Sequence, residues 1–393
     1  QYIERIDSQT LDQHVDLLAY HYDRSQNEPK QREYLLKAGQ AAQASYANAA
    51  AINYYQRVMP LLPPGERVPV MRRLGQVLQL TGKWDEAGSL YHQALELAET
   101  LGERHAWAEC QTAIGELLRL QGKYAEASKS LERAQTEFET LGDQGGVAQA
   151  LKSAGSVSAQ QGDYETARTL YQKSLAIFRE LDDKPNIANV LNNLGVVARF
   201  QGNYMLARFL HEEALGIRRQ VGNKQYICTS LNNLGNVAND QGDHAAARVW
   251  QEENLALARE IGERFAIALA LNNLGNVVRA LDDYSAARAM YDESLIIFHE
   301  LGDKYNIANL LEDMGGLAAL EGLPERALRL VGAASNLRVE IGAPLSPVEQ
   351  VKLEKLLEPA RQALNDLAQA AAFGEGRAMS LEQAIDYALS SRP

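Results

Sequence analysis

Apolar and small residues recur along this chain every 40 residues. A glycine, usually preceded by a large apolar residue, opens the pattern seven times, and an alanine follows twelve residues later each time. The glycines are Gly75, Gly115, Gly155, Gly195, Gly235, Gly275 and Gly315, and the alanines are Ala87, Ala127, Ala167, Ala207, Ala247, Ala287 and Ala327. A fixed period of this length indicates a repeat architecture. We therefore interpret residues 66–342 as seven repeats of 40 residues, numbered one to seven in the order of their glycines.

Two turn signals divide each repeat into a pair of helices. The first is a glycine between the two series, as at Gly202, and the second closes the unit, as in Leu301-Gly302-Asp303. Glycine at a helix end adopts the left-handed conformation, and a following Asp or Asn caps the next helix. The pattern predicts an all-α chain in which small residues, such as Gly195 and Ala207, mark the contact within a pair.

The two ends of the chain depart from the period of 40. Upstream, Ala51 and Tyr55 match Ala87 and Tyr91 at a spacing of 36 residues. Residues 1–65 are therefore interpreted as N-terminal helices with a degenerate first repeat, preceded by a short helix near Leu11 to Tyr22.

Downstream, two serine-led motifs predict new helices. Ser346 and Ser380 are each followed three residues later by Glu or Gln, which is the capping-box pattern. We interpret residues 343–393 as C-terminal capping helices, because a repeat array needs a terminal unit with a polar outer face. Residues 374–376, Gly-Glu-Gly, are expected to form a flexible turn between them.

Composition limits the function classes. The chain has 46% hydrophobic residues and a net charge of -12, from 39 Lys and Arg against 51 Asp and Glu. An acidic surface repels phosphates, which disfavours nucleic-acid binding by this segment as a whole. Neither a long apolar stretch nor a signal peptide is present, so we expect a cytoplasmic protein without membrane contact. Because the chain begins with Gln1, we expect it to be a piece of a longer protein.

The repeat motif resembles the tetratricopeptide repeat (TPR), in the 40-residue form typical of kinesin light chains. The order is Leu-Gly, then Gly-x-Tyr-x-x-Ala, then Tyr-x-x-Ala/Ser-Leu, and the resemblance covers about residues 66 to 342. It implies a right-handed superhelical solenoid of antiparallel helix pairs with helical caps. The segments that carry it best are Leu191-Asn192-Asn193-Leu194-Gly195, Leu231-Asn232-Asn233-Leu234-Gly235 and Leu271-Asn272-Asn273-Leu274-Gly275.

The ends of the chain carry a second resemblance. The segment from His14 to Tyr22 and the tail segments at residues 330–334, 341–345 and 376–384 are similar to the C-terminal TPR region of bacterial signal-transduction ATPases of the STAND or AAA type. In those proteins a cyclase, or a LuxR- or SARP-type DNA-binding domain, lies upstream. The resemblance implies that an ATPase core and an output domain precede this segment in the full protein.

Motifs for catalysis or cofactor binding are missing from the sequence. No Walker loop occurs, the seven histidines form no set with metal-ligand spacing, and nothing resembles a catalytic triad. We therefore expect this segment to be non-catalytic and to hold no cofactor and no metal.

Candidate binding residues lie on the first helix of repeats four to seven. By the TPR convention this helix lines the concave surface, at positions six and three residues before, and one and four residues after, the repeat glycine. Asparagine can pair with an extended peptide backbone, and arginine can hold carboxylates of an acidic ligand. The candidates, which we expect to face water, are Asn189, Asn192 and Arg199, then Asn232, Asn236 and Asn239, then Asn272, Asn276 and Arg279, and finally Asn309 and Glu312.

An alternative is that these asparagines are struts that bond neighbouring helices. Repeats one to three lack them and carry Arg72, Thr112 and Lys152 where Asn192 stands in repeat four. The leading hypothesis for function is a scaffold or sensor that binds a protein, a peptide or an adjacent domain of the same polypeptide. The alternative is a sensor that binds a small-molecule inducer inside the superhelix.

Overall fold

A computed structural model of the protein describes residues 14–45 and 47–390. Within them the chain forms twenty α-helices, one short 3-10 helix at Met59–Leu61, and no strand. The predicted all-α fold is confirmed. The helices are α1 (Val15–Asp23), α2 (Glu28–Ala44), α3 (Asn48–Val58), α4 (Pro64–Leu80), α5 (Trp84–Leu101), α6 (Arg104–Leu120), α7 (Tyr124–Leu141), α8 (Gln144–Gln160), α9 (Tyr164–Glu180), α10 (Lys184–Phe200), α11 (Tyr204–Val221), α12 (Lys224–Asp240), α13 (His244–Ile261), α14 (Arg264–Ala280), α15 (Tyr284–Leu301), α16 (Lys304–Leu320), α17 (Pro324–Ile341), α18 (Pro347–Ala363), α19 (Asp366–Arg377) and α20 (Leu381–Leu389).

Helices α4 to α17 follow one another as seven pairs, one pair for each 40-residue repeat. The turns lie where the sequence places them: Gly302 ends α15 with a φ of 68°, and the Asp303 side chain accepts a hydrogen bond from the backbone of Asn306 at the start of α16. Asp282 takes the place of glycine in one turn and adopts a φ of 62°. Aspartate tolerates this left-handed conformation better than most residues do.

The repeat glycine makes room for the second helix of its pair. A Cβ atom on Gly75 would lie 2.3 Å from the ring of Tyr91, and one on Gly275 would lie 2.5 Å from the ring of Tyr291. The same holds for Gly195, whose nearest neighbour is the His211 ring. The large side chain sixteen residues after the glycine was not expected, while the small residues lie at the contact within a pair as predicted: a Cβ atom on Gly315 would lie 3.1 Å from the carbonyl oxygen of Ala327.

The chain divides into two compact units, residues 1–193 and 194–393. In the first unit, α1 to α3 share one buried core with the first repeats, in which Tyr34 of α2 and Tyr55 of α3 are clustered with Tyr91 of α5. A Cβ atom on Gly39 would lie 2.7 Å from the Tyr55 ring, which is the same kind of contact as in the later repeats; the degenerate first repeat stays a prediction. Helix α1 begins at Val15, and the part of the predicted helix before residue 14 lies outside the described residues.

The second unit contains the C-terminal helices, and both predicted capping boxes are present. Ser346 caps α18 with Glu349, and Ser380 caps α20 with Gln383. The domain boundaries at 65/66 and 342/343 stay predictions. None of the helices in the described part of the chain is long and apolar enough to cross a membrane.

The prediction of a flexible turn at residues 374–376 is wrong. Gly374 and Gly376 lie inside α19, which crosses α17 at close range. A Cβ atom on Gly376 would lie 2.0 Å from the carbonyl oxygen of Arg329, and one on Gly332 would lie 2.3 Å from that of Phe373. Glycine is needed here for helix contact, and the packing outweighs its low helix propensity.

Candidate functional site

One cavity in the second unit collects most of the predicted binding residues. It has a volume of about 760 Å³ and is bordered by the first helices α10, α12, α14 and α16, by α17, and by α18. Eight of the eleven predicted residues line it. They are Arg199, Asn236, Asn239, Asn272, Asn276, Arg279, Asn309 and Glu312.

The other three candidates do not line this cavity. Asn189 and Asn192 belong to the first unit, where Asn189 is half-buried and Asn192 is buried. Asn232 accepts a hydrogen bond of 2.6 Å at its Oδ1 from the Nδ2 of Asn273, which belongs to the next repeat. The side chain of Asn232 is thus engaged between repeats five and six.

Three candidates of repeat six donate hydrogen bonds to Asp313, which lies on α16 in repeat seven. The Nδ2 atoms of Asn272 and Asn276 donate to its Oδ2 at 2.8 and 2.9 Å, and Nη1 of Arg279 donates to its backbone carbonyl at 3.0 Å. The Tyr291 hydroxyl donates to Oδ1 of Asn276 at 2.8 Å. We call Asp313 and its three donors the Asp313 hub, since one carboxylate joins α14 to α16.

Arg338 on α17 forms a second hub. It donates to both carboxylate oxygens of Glu312, at 2.6 and 2.7 Å, and to Oδ1 of Asn309 at 2.6 Å. Burial raises the pKa of Glu312, while the Arg338 guanidinium favours its charged form. Asn309 and Glu312 are therefore held against the second helix of their own repeat.

Three candidates remain on the part of the cavity formed by repeats four and five. Nε of Arg199 donates to Asp240 at 2.6 Å, and Oδ1 of Asn239 lies 3.0 Å from Nδ1 of His244. The half-buried side chain of Asn236 makes no hydrogen bond within the described residues. Asn236 is thus available to a ligand without breaking an existing bond.

Helix α18 closes the cavity at repeat seven. Gly316 stands where Asn236 and Asn276 stand in the two preceding repeats, and a Cβ atom on it would lie 2.1 Å from Leu356 of α18. Leu353 and Leu356 form part of the cavity wall. Helix α18 therefore occupies the surface that polar groups occupy in repeats five and six.

The expectation that all candidates face water is wrong for three of them. Asn192 and Asn272 are each 8% exposed and Glu312 is 9% exposed. Asn272 is buried because its amide reaches an acceptor on the next repeat, and Glu312 because Arg338 covers it. The strut interpretation thus describes the contacts of Asn272 and Asn276, and a role of the candidates in binding stays a prediction.

Sequence reasoning missed Asp313, Arg338 and the residues of α18. Asp313 occupies the repeat position that is asparagine in the three preceding repeats, at Asn193, Asn233 and Asn273. This change from an amide to an acid was the one sequence signal that could have pointed to Asp313. Within the described residues no cluster of His, Cys, Asp or Glu has the arrangement of a metal site.

The sequence model of the tetratricopeptide repeat family matches residues 67–136, 146–220, 226–297 and 266–338, which is well over half of the chain. The chain is a tetratricopeptide repeat protein. The family predicted from the sequence is therefore confirmed. A comparison with curated proteins finds no match.

Solved structures similar to this TPR protein include three with TM-scores above 0.6. The apo form of the quorum sensor NprR from B. thuringiensis has 15% identity and a TM-score of 0.62, and the match covers 85% of this chain and 94% of that chain. A Rap protein complexed with competence and sporulation factor has 14% identity and a TM-score of 0.63, with coverage of 85% and 93%.

The third is the STAND protein PH0952 from Pyrococcus horikoshii, which has a tetratricopeptide repeat sensor. Its identity is 15% and its TM-score is 0.62, and the match covers 90% of this chain and 55% of that chain. The TPR protein thus shares its fold with part of a signal-transduction ATPase, as the resemblance of its ends implied. At these identities the likeness concerns the fold alone.

Proposed function

We propose that this TPR protein is a non-catalytic binding module whose second unit holds an extended polypeptide segment in the 760 Å³ cavity. The observation that carries the proposal is the convergence of amide and guanidinium groups from successive repeats on one cavity. Amides pair with peptide backbone whatever the side chains of the ligand. The ligand is a peptide, a protein segment or an adjacent domain of the same polypeptide.

The hydrogen bonds already present leave specific groups for the ligand. Asn236 offers both a donor and an acceptor. Arg199 uses its Nε and Arg279 uses one Nη1 in the bonds described above, so each guanidinium keeps further N–H groups for a carboxylate. The proposed ligand is therefore an extended segment with acidic side chains, its backbone against Asn236 and its carboxylates against the two arginines.

The wider setting we propose is the C-terminal part of a cytoplasmic bacterial signalling ATPase or transcriptional regulator. The support is the resemblance of the chain's two ends to such proteins and the shared fold with the sensor-bearing STAND protein. In that setting the ligand state of the cavity is passed to domains that precede this segment.

A second candidate is a small-molecule inducer. One observation favours it: α18 blocks the cavity at repeat seven, where Gly316 contacts Leu356. A cavity of about 760 Å³ lies within the usual range of small-ligand sites, roughly 300 to 1,000 Å³. Such a ligand would be polar, because amides and ion pairs dominate the lining.

A selection from random linear peptides displayed on phage tests the leading proposal. Peptides that bind the wild-type protein are synthesised and titrated against Asn236→Ala, Arg279→Gln and the control Gln220→Ala, which changes an exposed side chain of α11. We expect roughly a tenfold loss or more for the first two variants, the value of about one charged or well-made hydrogen bond. The control should bind as the wild type does.

Two outcomes speak against a peptide groove. Selected peptides that bind Asn236→Ala and Arg279→Gln as tightly as the wild type would be bound elsewhere on the protein. No enriched peptide, together with a polar metabolite retained by the wild type and lost in Arg279→Gln by native mass spectrometry, would favour the inducer.

A further inference from the structure

The second unit has a further cavity, between α17 of repeat seven and the two helices that follow it. It measures about 390 Å³ and is bordered by α17, α18 and α19. Val331, Ser335, Val339 and Gly342 line it from α17 and from the residue that follows this helix. They recur every three or four residues, so they form one face of the helix. We call this space the α17 cavity.

Repeat seven carries smaller side chains on this face than earlier repeats do. Ser335 stands where each of repeats three to six has a buried leucine, and Val331 stands where repeat six has Tyr291. The four leucines are Leu175, Leu215, Leu255 and Leu295. Protein interiors are normally close-packed, and empty space in them lowers stability. The α17 cavity is therefore a specific feature of repeat seven, and a ligand in it would replace the missing side-chain contacts.

The α17 cavity has a buried end and an exposed end. Val331 is 6% exposed and Val339 is 70% exposed. In the six earlier repeats the position of Val339 holds a polar residue: Glu99, Glu139, Arg179, Arg219, Arg259 and His299. Repeat seven thus has an apolar residue where its predecessors have a charge or an imidazole. An apolar ligand can enter past Val339 without removing a charged group from water.

The charged groups of the lining are two acids and two arginines, and they are paired. Nε of Arg338 donates to Glu312 at 2.6 Å, and Nη2 of Arg361 donates to Oε1 of Glu354 at 2.9 Å. The lining therefore has no net charge to attract an anion or a cation.

One polar group of the lining is left for a ligand. The half-buried hydroxyl of Ser335 makes no hydrogen bond within the part of the chain that the structure describes. A hydroxyl both donates and accepts, so it can pair with an amine, a hydroxyl or a carbonyl. Across from it, Leu345, Leu353 and Phe373 complete the wall with apolar side chains. The chemistry of the lining is thus apolar, with one neutral hydrogen-bonding group.

We propose that the α17 cavity binds a small uncharged molecule with an apolar body and one hydrogen-bonding group, which meets the hydroxyl of Ser335. Its volume lies within the usual range for small ligands. Val331 and Val339 are just over two helical turns apart, roughly 12 Å. This distance exceeds the reach of a single side chain of a partner, so a free molecule fits better. The site is distinct from the polar 760 Å³ cavity and does not depend on the function proposed for that cavity.

The test uses an uncharged fluorescent dye and its charged twin on the whole chain. N-phenyl-naphthylamine has an apolar body and one N–H group, and anilinonaphthalene sulfonate adds an anionic group to the same skeleton. We expect the first dye to bind and the second to bind at least about tenfold more weakly, because the lining offers its charge no partner. NMR with labelled valine methyl groups locates the dye: Val331 and Val339 should shift, while Val277 of the 760 Å³ cavity should not.

Variants at Ser335 separate the space from the hydroxyl. Ser335→Leu restores the residue of the earlier repeats and fills the cavity, so it should weaken dye binding at least about tenfold while melting no lower than the wild type. Ser335→Ala keeps the space and should weaken binding less than about fivefold, because it loses one neutral hydrogen bond. Ser89→Leu makes the same change as the first variant at an exposed position of α5 and should leave affinity unchanged.

Several results would overturn the proposal. They are no binding of the uncharged dye, equal affinity for the two dyes, methyl shifts at Val277 in place of Val331 and Val339, and full affinity in Ser335→Leu. A wild-type dimer that Ser335→Leu converts to a monomer would place a side chain of a second copy in the cavity, and it would overturn the proposal as well.

Discussion

Replacing Asn272 by Ala measures how much the Asp313 hub contributes to the free energy of unfolding. Asn272 is 8% exposed, and its Nδ2 lies 2.8 Å from the carboxylate of Asp313 in the next repeat. A hydrogen bond to a charged group contributes about 1.5 to 3 kcal/mol. Asp313 retains Asn276 at 2.9 Å after the change, which offsets part of the loss. We expect the free energy of unfolding to fall by about 1 to 2 kcal/mol.

Asn236→Ala is the matched control, because its side chain borders the same cavity without an intramolecular hydrogen bond. Its unfolding free energy should stay within about 0.5 kcal/mol of the wild type. The assay is a urea titration followed by circular dichroism, with amide hydrogen exchange in α14 and α16 as a local measure, since repeat arrays open locally.

A double-mutant cycle that combines Asn272→Ala with Asp313→Ala isolates the interaction energy between these two side chains. The coupling energy between Asn272 and Asp313 should be about 1 kcal/mol, because the two side chains are in direct contact. If Asn272→Ala is no more destabilising than Asn236→Ala and the cycle gives no coupling, the hub does not hold the two repeats together. Asn272 would then be available for ligand binding alone.

Three further outcomes concern one buried histidine and two glycines within helices. Burial and the charges of Arg218 and Arg199 lower the pKa of the His211 ring to about 4. The unfolded chain therefore takes up the proton first as pH falls, and unfolding free energy should drop by about 2 kcal/mol between pH 7 and pH 5 in urea titrations, a loss that His211→Phe removes. Gly275→Ala places a Cβ atom 2.5 Å from the Tyr291 ring and should cost about 1 to 3 kcal/mol by the same assay. Gly216→Ala, inside α11 with open space around it, should instead stabilise the protein by about 0.5 to 1 kcal/mol.

Local signals were sufficient to predict the helices. Gly302, Asp303 and the two capping-box serines act within a few residues of themselves, so their effect can be read from the sequence around them. The contact between Gly195 and His211 was harder to predict, because it depends on how one helix is rotated against its partner. Ala207 lies one helical turn before His211, so the repeat pattern indicated the close contact but not the ring that fills it.

The sequence predicted where most of the candidate residues lie, but it did not predict their hydrogen-bond partners. Asn272 and Asp313 are 41 residues apart, and a pattern within one repeat does not reveal which group of the next repeat an amide will reach. Arg338 was missed for a different reason: it lies 26 residues after Glu312 on the second helix of the same repeat, and the pattern does not show which polar side chains of two paired helices meet. The crossing of α17 and α19 depends on Gly332 and Gly376, which look like helix breakers in the sequence and serve as contact points in the structure.

Gly316 also bears on how such an array can lengthen by duplication. A copy of repeat six brings its own asparagines and arginine, and it extends the row of polar groups. A copy of repeat seven brings a second Gly316, whose surface fits Leu356, while the chain has one α18 to cover it. One of the two apolar surfaces, at Gly316 or at its copy, would stay exposed to water. New repeats are therefore accommodated upstream of α16, and the last repeat is fixed as the terminus by the helix that packs on it.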